Sequence, residues 1–318
     1  MTQPANIIER FRGGRILFDG GLGTMLIARG LQPGMPPEEW NRTHPVDVRR
    51  VHTEYLEAGA EVIETNTFGG TPARMRSFGL GGAAELNNSA VRLANDAIDE
   101  FNRTRPRRGD TAQTNGPRFA ALSIGPTGKM MPPVGEATED EITAEFRAQF
   151  EGLDDTVDLV LIETIFDLRE GFLALAAAKR TLDVPVAVTL TFNKNPRGFY
   201  TVMGNEAGGA MKELAREGSD IVGANCTLTS VEMVELARTL RESTDLPLLC
   251  QPNAGQPNIR GGVPVYDQTP REFADDVMKI FDLGINAVGG CCGTTPDFIR
   301  EVSRLRAAGD SAGTTPTI

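Results

Sequence analysis

Three of the chain's four cysteines stand where both backbone and chemistry are unusual. Cys291 and Cys292 are adjacent in "NAVGGCCGTTP", between Gly289–Gly290 and Gly293, and Cys226 closes the run "DIVGANC". A bridge between neighbouring cysteines forces a strained peptide, and in a reducing compartment four cysteines in 318 residues are thiols, metal ligands or nucleophiles rather than a disulfide framework. That leaves metal binding or catalysis. Three thiolates make a good zinc set, and three protein ligands leave one tetrahedral position open, as in catalytic zinc, whereas a structural zinc is closed by four. Cys250, inside the apolar run "PLLCQPNAG", is expected to pack as a small core residue, the alternative being a fourth ligand. His44 and His52, the only histidines, fall on a helix-like segment and are expected on its surface or face, which disfavours histidine-dependent catalysis.

Thiols so far apart in sequence converge only if the fold brings strand ends together. Eight short apolar runs, starting at Ile16, Glu61, Phe119, Val157, Pro185, Asp220, Pro247 and Asn286, alternate with amphipathic segments. This is the pattern of βα units, and eight of them fit a closed (β/α)8 TIM barrel, an α/β fold, better than an open doubly wound sheet. The expected organisation is a single barrel domain over residues 1–306 followed by a disordered tail over 307–318. Ser230 and Thr269-Pro270 read as helix starts and Gly284 as a helix stop. The segments from Leu31 and Arg103 read as long polar loops.

Each run begins apolar and ends polar: Asp19, Glu64 with Asn66, Thr127, Glu163 with Asp167, Asn193, Asn225 with Cys226, Asn253, and the cysteine pair. Any one of these can be a turn former, but barrel active sites sit at the C-terminal rim, where all eight fall. Cys226 at the sixth strand end and Cys291 and Cys292 at the eighth can then meet. For adjacent residues to face one ion the backbone must leave extended geometry, which Gly290 and Gly293 permit. The turn "DGGLGT" from Asp19 lacks the Lys-Ser/Thr of a phosphate loop and reads instead as a strand-end turn offering N–H groups to a carboxylate.

A net charge of −11 supplies no general attraction for nucleic acid or anionic lipid. The first residues lack the apolar core of a secretory signal and no apolar run approaches the roughly 20 residues of a membrane span, so the chain is expected in the cytoplasm without membrane contact. A phosphate-binding lyase or isomerase barrel would place a phosphate loop after the seventh or eighth strand, where "GGCCGT" stands instead. A structural-zinc or redox-thiol binding protein is the non-enzymatic alternative.

With "DGGLGTML", "ETNTFGG", "GANC", "PNAG" and "GGCCGTTP" each at an expected strand end and in this order, the chain resembles the homocysteine S-methyltransferases from about Ile16 to about Leu305. That family includes betaine- and S-methylmethionine-dependent enzymes and the homocysteine module of cobalamin-dependent methionine synthase. The resemblance implies zinc on Cys226, Cys291 and Cys292, with Asn253 able to fill the fourth position when substrate is absent. It further implies that Asp19 and Glu163 face the homocysteine ammonium and that N–H groups around Gly20 and Gly21 seat the substrate. Phe298 stands where the family often has His. "SIGPTGKMMPP" from Ser123 is more similar to the methionine synthase module, which, with no folate or cobalamin domain attached, implies a methylcorrinoid protein on a separate chain as donor. Betaine and S-methylmethionine are the alternative donors.

Overall fold

In the computed structural model, which describes residues 6–104, 116–153, 156–260 and 263–312, the eight expected runs form eight parallel strands. They are β1 (Ile16–Leu17), β2 (Val62–Glu64), β3 (Phe119–Ile124), β4 (Leu159–Ile165), β5 (Val186–Leu190), β6 (Ile221–Thr229), β7 (Leu248–Asn253) and β8 (Ala287–Val288). Strands β2 to β8 pair in chain order, β8 pairs with β1 through Ile16↔Ala287 and Leu17↔Val288, and a parallel bridge Phe18↔Val62 joins β1 to β2. The sheet therefore closes on itself.

Around it lie α1 (Pro45–Ala58), α2 (Ala83–Thr104), α3 (Glu139–Phe150), α4 (Leu168–Thr181), α5 (Ala207–Arg216), α6 (Ser230–Ser243), α7 (Pro270–Asp282) and α8 (Pro296–Ala312). Capping boxes set three starts: Thr138 with Glu141, Thr229 with Glu232, and Thr269 with Glu272. Thr229 is the cap and Ser230 the first helical residue, and Pro270 takes the first-turn place its missing N–H suits. Helix α8 is described through Ala312, past the barrel end expected at 306. The rest of the expected tail, 313–318, and most of the loop from Arg103, residues 105–115, lie outside the described residues. Two hairpins have no counterpart in the sequence reading, Asn193–Asn195 with Gly198–Tyr200 and Pro257–Arg260 with Val263–Tyr266.

Strand alternation divides the apolar residues into two bodies. One lies between sheet and helices; the other fills the barrel with residues from all eight strands, among them Ile16, Phe18, Val62, Leu161, Ala187 and Leu249. Ile7 and Phe11, from a helix over Ile7–Arg12, join this inner body and plug the N-terminal end. Arg10 and Arg306 bind the buried Glu61 at 2.8 and 2.5 Å, tying that helix and α8 to the start of β2. Two residues further along the strands the same inward face turns polar, with Ser123, Glu163 and Thr189 buried and Glu64 half-buried. His52, expected on a surface or helix face, is fully buried on α1 with neither ring nitrogen partnered, and burial lowers its pKa to about 4. His44, at the start of α1, is exposed and stacks on Trp40.

Phe11 belongs to the plug and is remote from the polar end. Phe11→Ala should cost about 3–5 kcal/mol in denaturant unfolding, the range for emptying a buried aromatic site, while metal content per folded molecule stays unchanged.

Candidate active site

The strand β8 stops at Val288, so the cysteine pair stands in a turn just past the strand rather than at its last residues. Thr294 N–H donates to Cys291 O at 3.2 Å, and Gly293, third of the four residues, has φ +81°, the sign a type II turn requires at that place. Any Cβ at Gly290 would lie 2.3 Å from Thr294 Oγ1, and one at Gly293 would lie 2.2 Å from the Tyr266 ring, so both glycines are needed for close approach. Neighbouring strand ends hold the turn from two sides. From β7, Pro252 O accepts from Cys291 N–H (2.9 Å), Asn253 Oδ1 accepts from Cys292 N–H (3.1 Å) and Ala254 N–H donates to Cys292 O (3.0 Å). From beyond β1, Asp19 O accepts from Gly290 N–H at 2.9 Å and Thr24 Oγ1 from Gly293 N–H at 3.0 Å.

Cys226 reaches the same place by strain. Cys226 and Thr227 have φ of 60° and 54°, in the left-handed region that costs a non-glycine residue about 1–2 kcal/mol. The register between β6 and β7 slips there, between Asn225 and Thr229. Thr164, also at φ 60°, marks a similar irregularity in β4. Asn225 clamps the two: its Oδ1 accepts from Thr164 N–H and Thr189 Oγ1, both at 2.8 Å, and its Nδ2 donates to Thr164 Oγ1 and Glu163 Oε2 at 2.7 and 3.1 Å.

The three sulfurs lie within 4.8 Å of one another, with Cys226 and Cys292 at 3.8 Å. Tetrahedral zinc with Zn–S bonds of about 2.3 Å puts its sulfurs about 3.8 Å apart, so the donor set fits that metal. Hydrogen bonds from Cys226 and then Cys291 lower Cys292 to about 3. Cys291 is raised, first by its hydrogen bond to Cys226. Cys226 is pushed up to about 11, its hydrogen bond with Cys291 being outweighed by the one with Cys292 and by burial. A set in which one thiol ionises readily at the expense of its neighbours suits a dication, which removes their mutual repulsion. Cys250 is not in this cluster; it is fully buried in the core outside the barrel, and burial raises it to about 12.

Beside the sulfurs opens a cavity of about 360 Å³ lined by Cys226, Cys291, Cys292, Gly20, Gly21, Glu64 and Glu163, among others. Asp19 and Asn253 do not line it. Asp19 is fully buried, its Oδ2 accepting from Glu64 N–H at 3.0 Å and its Oδ1 without a partner. Glu163 accepts from Ser123 Oγ at 2.5 Å and from Asn225, and Glu64 accepts from Gln251 Nε2 at 2.5 Å. Burial raises all three carboxyls, Glu163 to about 7. None of the three forms an ion pair with a described residue, so the cluster is suited to an incoming ammonium. Gly20 and Gly21 both line the cavity; Gly21 N–H donates to Thr294 Oγ1 at 2.9 Å, and Leu22, Gly23 and Thr24, at the start of the helix Leu22–Ala28, which has no side-chain cap, line the cavity beside them.

Glu64, Asn225, Ser123 and Gln251 join the expected residues. Glu64 and Asn225 were legible as polar strand ends, whereas Gln251 and Tyr266, whose ring lies against Gly293, carry no motif signal.

A family model described as homocysteine S-methyltransferase matches residues 16–305. A methionine synthase of Mycobacterium leprae (strain TN) is 31% identical over 301 residues, covering 90% of this chain and 24% of that protein; the chain thus spans about a quarter of that relative's length. The solved Escherichia coli homocysteine methyltransferase MmuM is similar in fold, with TM-score 0.75 and 24% identity for the metallated form over 91% of this chain and 96% of that one. Its oxidized form gives TM-score 0.76 at 23% identity over 95% and 100%.

One zinc per chain is expected by elemental analysis. Alanine at 226, 291 or 292 should release it and alanine at 250 should not; zinc loss from Cys250→Ala alone would overturn the assignment. The raised Glu163 pKa carries a second expectation. With an unfolded value near 4.5 and a folded value of about 7, its contribution to stability is present below pH 4.5 and lost as pH rises through 7. Glu163→Gln should therefore stabilise the ligand-free protein at pH 8 by about 1–3 kcal/mol and have little effect at pH 4.5, as read from thermal unfolding at the two pH values.

Proposed function

The chain belongs to the homocysteine S-methyltransferase family, and from that premise we propose that it transfers a methyl group to the thiol of homocysteine, giving methionine, with zinc held by Cys226, Cys291 and Cys292. The observation that carries this reading is the juxtaposition of three converging thiols with Glu64 and Glu163, which line the same cavity, and with the buried Asp19 behind them, none paired to a cation among the described residues. When bound, zinc lowers the pKa of the substrate thiol so that the sulfur is a thiolate at neutral pH. The protein's own groups orient it. Glu163 and Glu64, backed by Asp19, receive the ammonium, and the N–H groups of Leu22, Gly23 and Thr24 receive the carboxylate. Holding both ends aims the sulfur at the cysteine cluster, a positioning contribution to the rate. Three cysteine sulfurs are strong electron donors, which keeps the substrate sulfur nucleophilic for in-line attack on the methyl carbon. No described histidine enters the cavity, and none is needed for the transfer. A closed structural zinc would need a fourth ligand, and the cluster among the described residues has three.

For the donor the reading favours a methylcorrinoid carried on another protein surface. Among the described residues every large exposed apolar side chain, Met35, Val46, Phe78, Val134, Val202, Val231 and Ile259, lies in a segment between the end of a barrel strand and the first turn of the following α helix. Exposed apolar side chains at that end, Met35 and Phe78 among them lining the cavity, suit a protein docked over it. The likeness to methionine synthase agrees with this. A small donor is the second reading, favoured by the cavity: about 360 Å³ falls in the small-ligand range and leaves room for betaine or S-methylmethionine beside homocysteine.

Methionine formation by the zinc-loaded chain, with homocysteine and each donor in turn, separates the two. Activity with a methylated corrinoid protein alone is expected; rapid turnover with betaine or S-methylmethionine alone would replace that donor. Glu163→Gln should weaken homocysteine binding about 10- to 100-fold in titration calorimetry, the value of a charge-assisted hydrogen bond, and leave zinc binding intact.

A further inference from the structure

The cavity is acidic where it meets the sulfurs, yet one cation lines it. Among its described lining residues Arg74 is the only lysine, arginine or histidine, and the groups that receive homocysteine do not include it. It stands half-buried in the short helix Pro72–Ser77 after β2, with Cζ 5.9 Å from the centroid of the Phe68 ring, within reach of a cation–π contact. A Cβ at Gly69 would lie 2.7 Å from Arg74 Nε and 2.9 Å from Glu38 Oε1, so the bare glycine makes the room that this side chain occupies. Glu38 commits that oxygen to Gly69 N–H at 2.5 Å. The guanidinium itself donates no hydrogen bond to a described residue and forms no ion pair with one. Its planar fork of N–H groups is left for whatever enters the cavity, and a carboxylate is the group such a fork receives on two parallel bonds.

Place along the cavity decides which molecule brings that carboxylate. The sulfurs, Glu64 and Glu163 stand at or just past strand ends and form the floor, whereas Arg74 stands on a loop with Phe78, which like Met35 is an exposed lining residue and marks the open side. Homocysteine, with its sulfur at the cysteines and its ammonium at the carboxyls, occupies the floor. The donor must enter from the open side with its methyl foremost, since attack is in line, and it then turns its far end toward Arg74. We propose that Arg74 is a specificity-determining residue of the donor subsite, receiving a carboxylate on the side of the methyl donor that faces away from the sulfurs. The proposal rests on the methyl-transfer reading. In that step the homocysteine sulfur forms a bond to the methyl carbon, the bond from that carbon to the donor breaks, and its electron pair stays with the donor. Arg74 touches none of these atoms and acts through binding. The carboxylate has two sources: a small onium donor such as betaine or S-methylmethionine carries its own, and a corrinoid protein docked over the mouth brings an acidic side chain.

The test follows methionine formation by the zinc-loaded parent, Arg74→Gln and Arg74→Lys with the donor the parent turns over. Arg74→Gln should raise the KM for that donor about 10- to 100-fold, the value of a charge-assisted hydrogen bond. Homocysteine affinity in calorimetry and the thermal unfolding midpoint should stay near those of the parent, and Arg74→Lys should recover part of the loss because it keeps the charge without the fork. With a small donor, the same substitution should leave the KM for tetramethylammonium or trimethylsulfonium, which have no carboxylate, unchanged. With a corrinoid protein, added salt should raise the KM of the parent more steeply than that of Arg74→Gln. An unchanged donor KM in Arg74→Gln overturns the proposal, and so does a loss that falls on homocysteine affinity instead, which would place Arg74 in the acceptor subsite. If the parent forms methionine from no donor, the methyl-transfer reading itself fails and the proposal with it, a result distinct from either.

Discussion

The site depends on where the barrel closes. The cysteine turn follows the eighth strand, and that strand is the seam between the seventh strand and the first. The turn's backbone is held by Pro252, Asn253 and Ala254 on one side and by Asp19 and Thr24 on the other. Adjacent residues of a strand face opposite ways, so two neighbouring thiols can share a target only in a turn, and a turn keeps one geometry only if both flanks hold it. Closing the cylinder supplies both flanks. In an open sheet the turn would have a partner on one side alone.

A second constraint is electrostatic. Asp19 and Glu163, both buried, and the half-buried Glu64 lie beside three thiols, and every one of these groups carries no charge or negative charge. Such a cluster opposes folding above neutral pH, and hydrogen bonds from Ser123, Asn225 and Gln251 offset only part of that cost. Positive charge from outside would offset it, as in the proposed reading of a dication at the sulfurs and an ammonium at the carboxyls. The site is therefore strained twice, in the left-handed backbone of Thr164, Cys226 and Thr227 and in its surplus of acid, as functional sites commonly are.

The opposite end of the barrel has the reverse character. There Ile7 and Phe11 seal an apolar interior, and Glu61 is matched by two arginines. Stability is concentrated at the closed end and reactivity at the open one, and the same strands carry both, because moving two residues along an inward face exchanges leucine and alanine for glutamate and serine.

The barrel was readable from the residues because its signal is local and repeated: short apolar runs, amphipathic segments of helical length, and capping residues such as Thr269 with Pro270. The three converging cysteines and Glu163 were readable because polar residues at apolar run ends are conspicuous and a barrel gathers such ends at one rim. Tertiary structure alone decided the rest. No glycine announces the left-handed backbone at Cys226, which follows from the clamp that Asn225 places between the fourth and sixth strands. Glu64 and Asn225 were visible as polar strand ends, but only strand register set them against Glu163. Asn253 looked like a ligand candidate, and the fold directs its oxygen to the Cys292 amide. Tyr266 sits in a hairpin whose sequence resembles any polar loop, and its place beside Gly293 exists only because the seventh and eighth strands are neighbours. Periodicity and end chemistry are properties of a segment, but register and contact across strands are properties of pairs far apart in the chain, and a linear sequence does not display them.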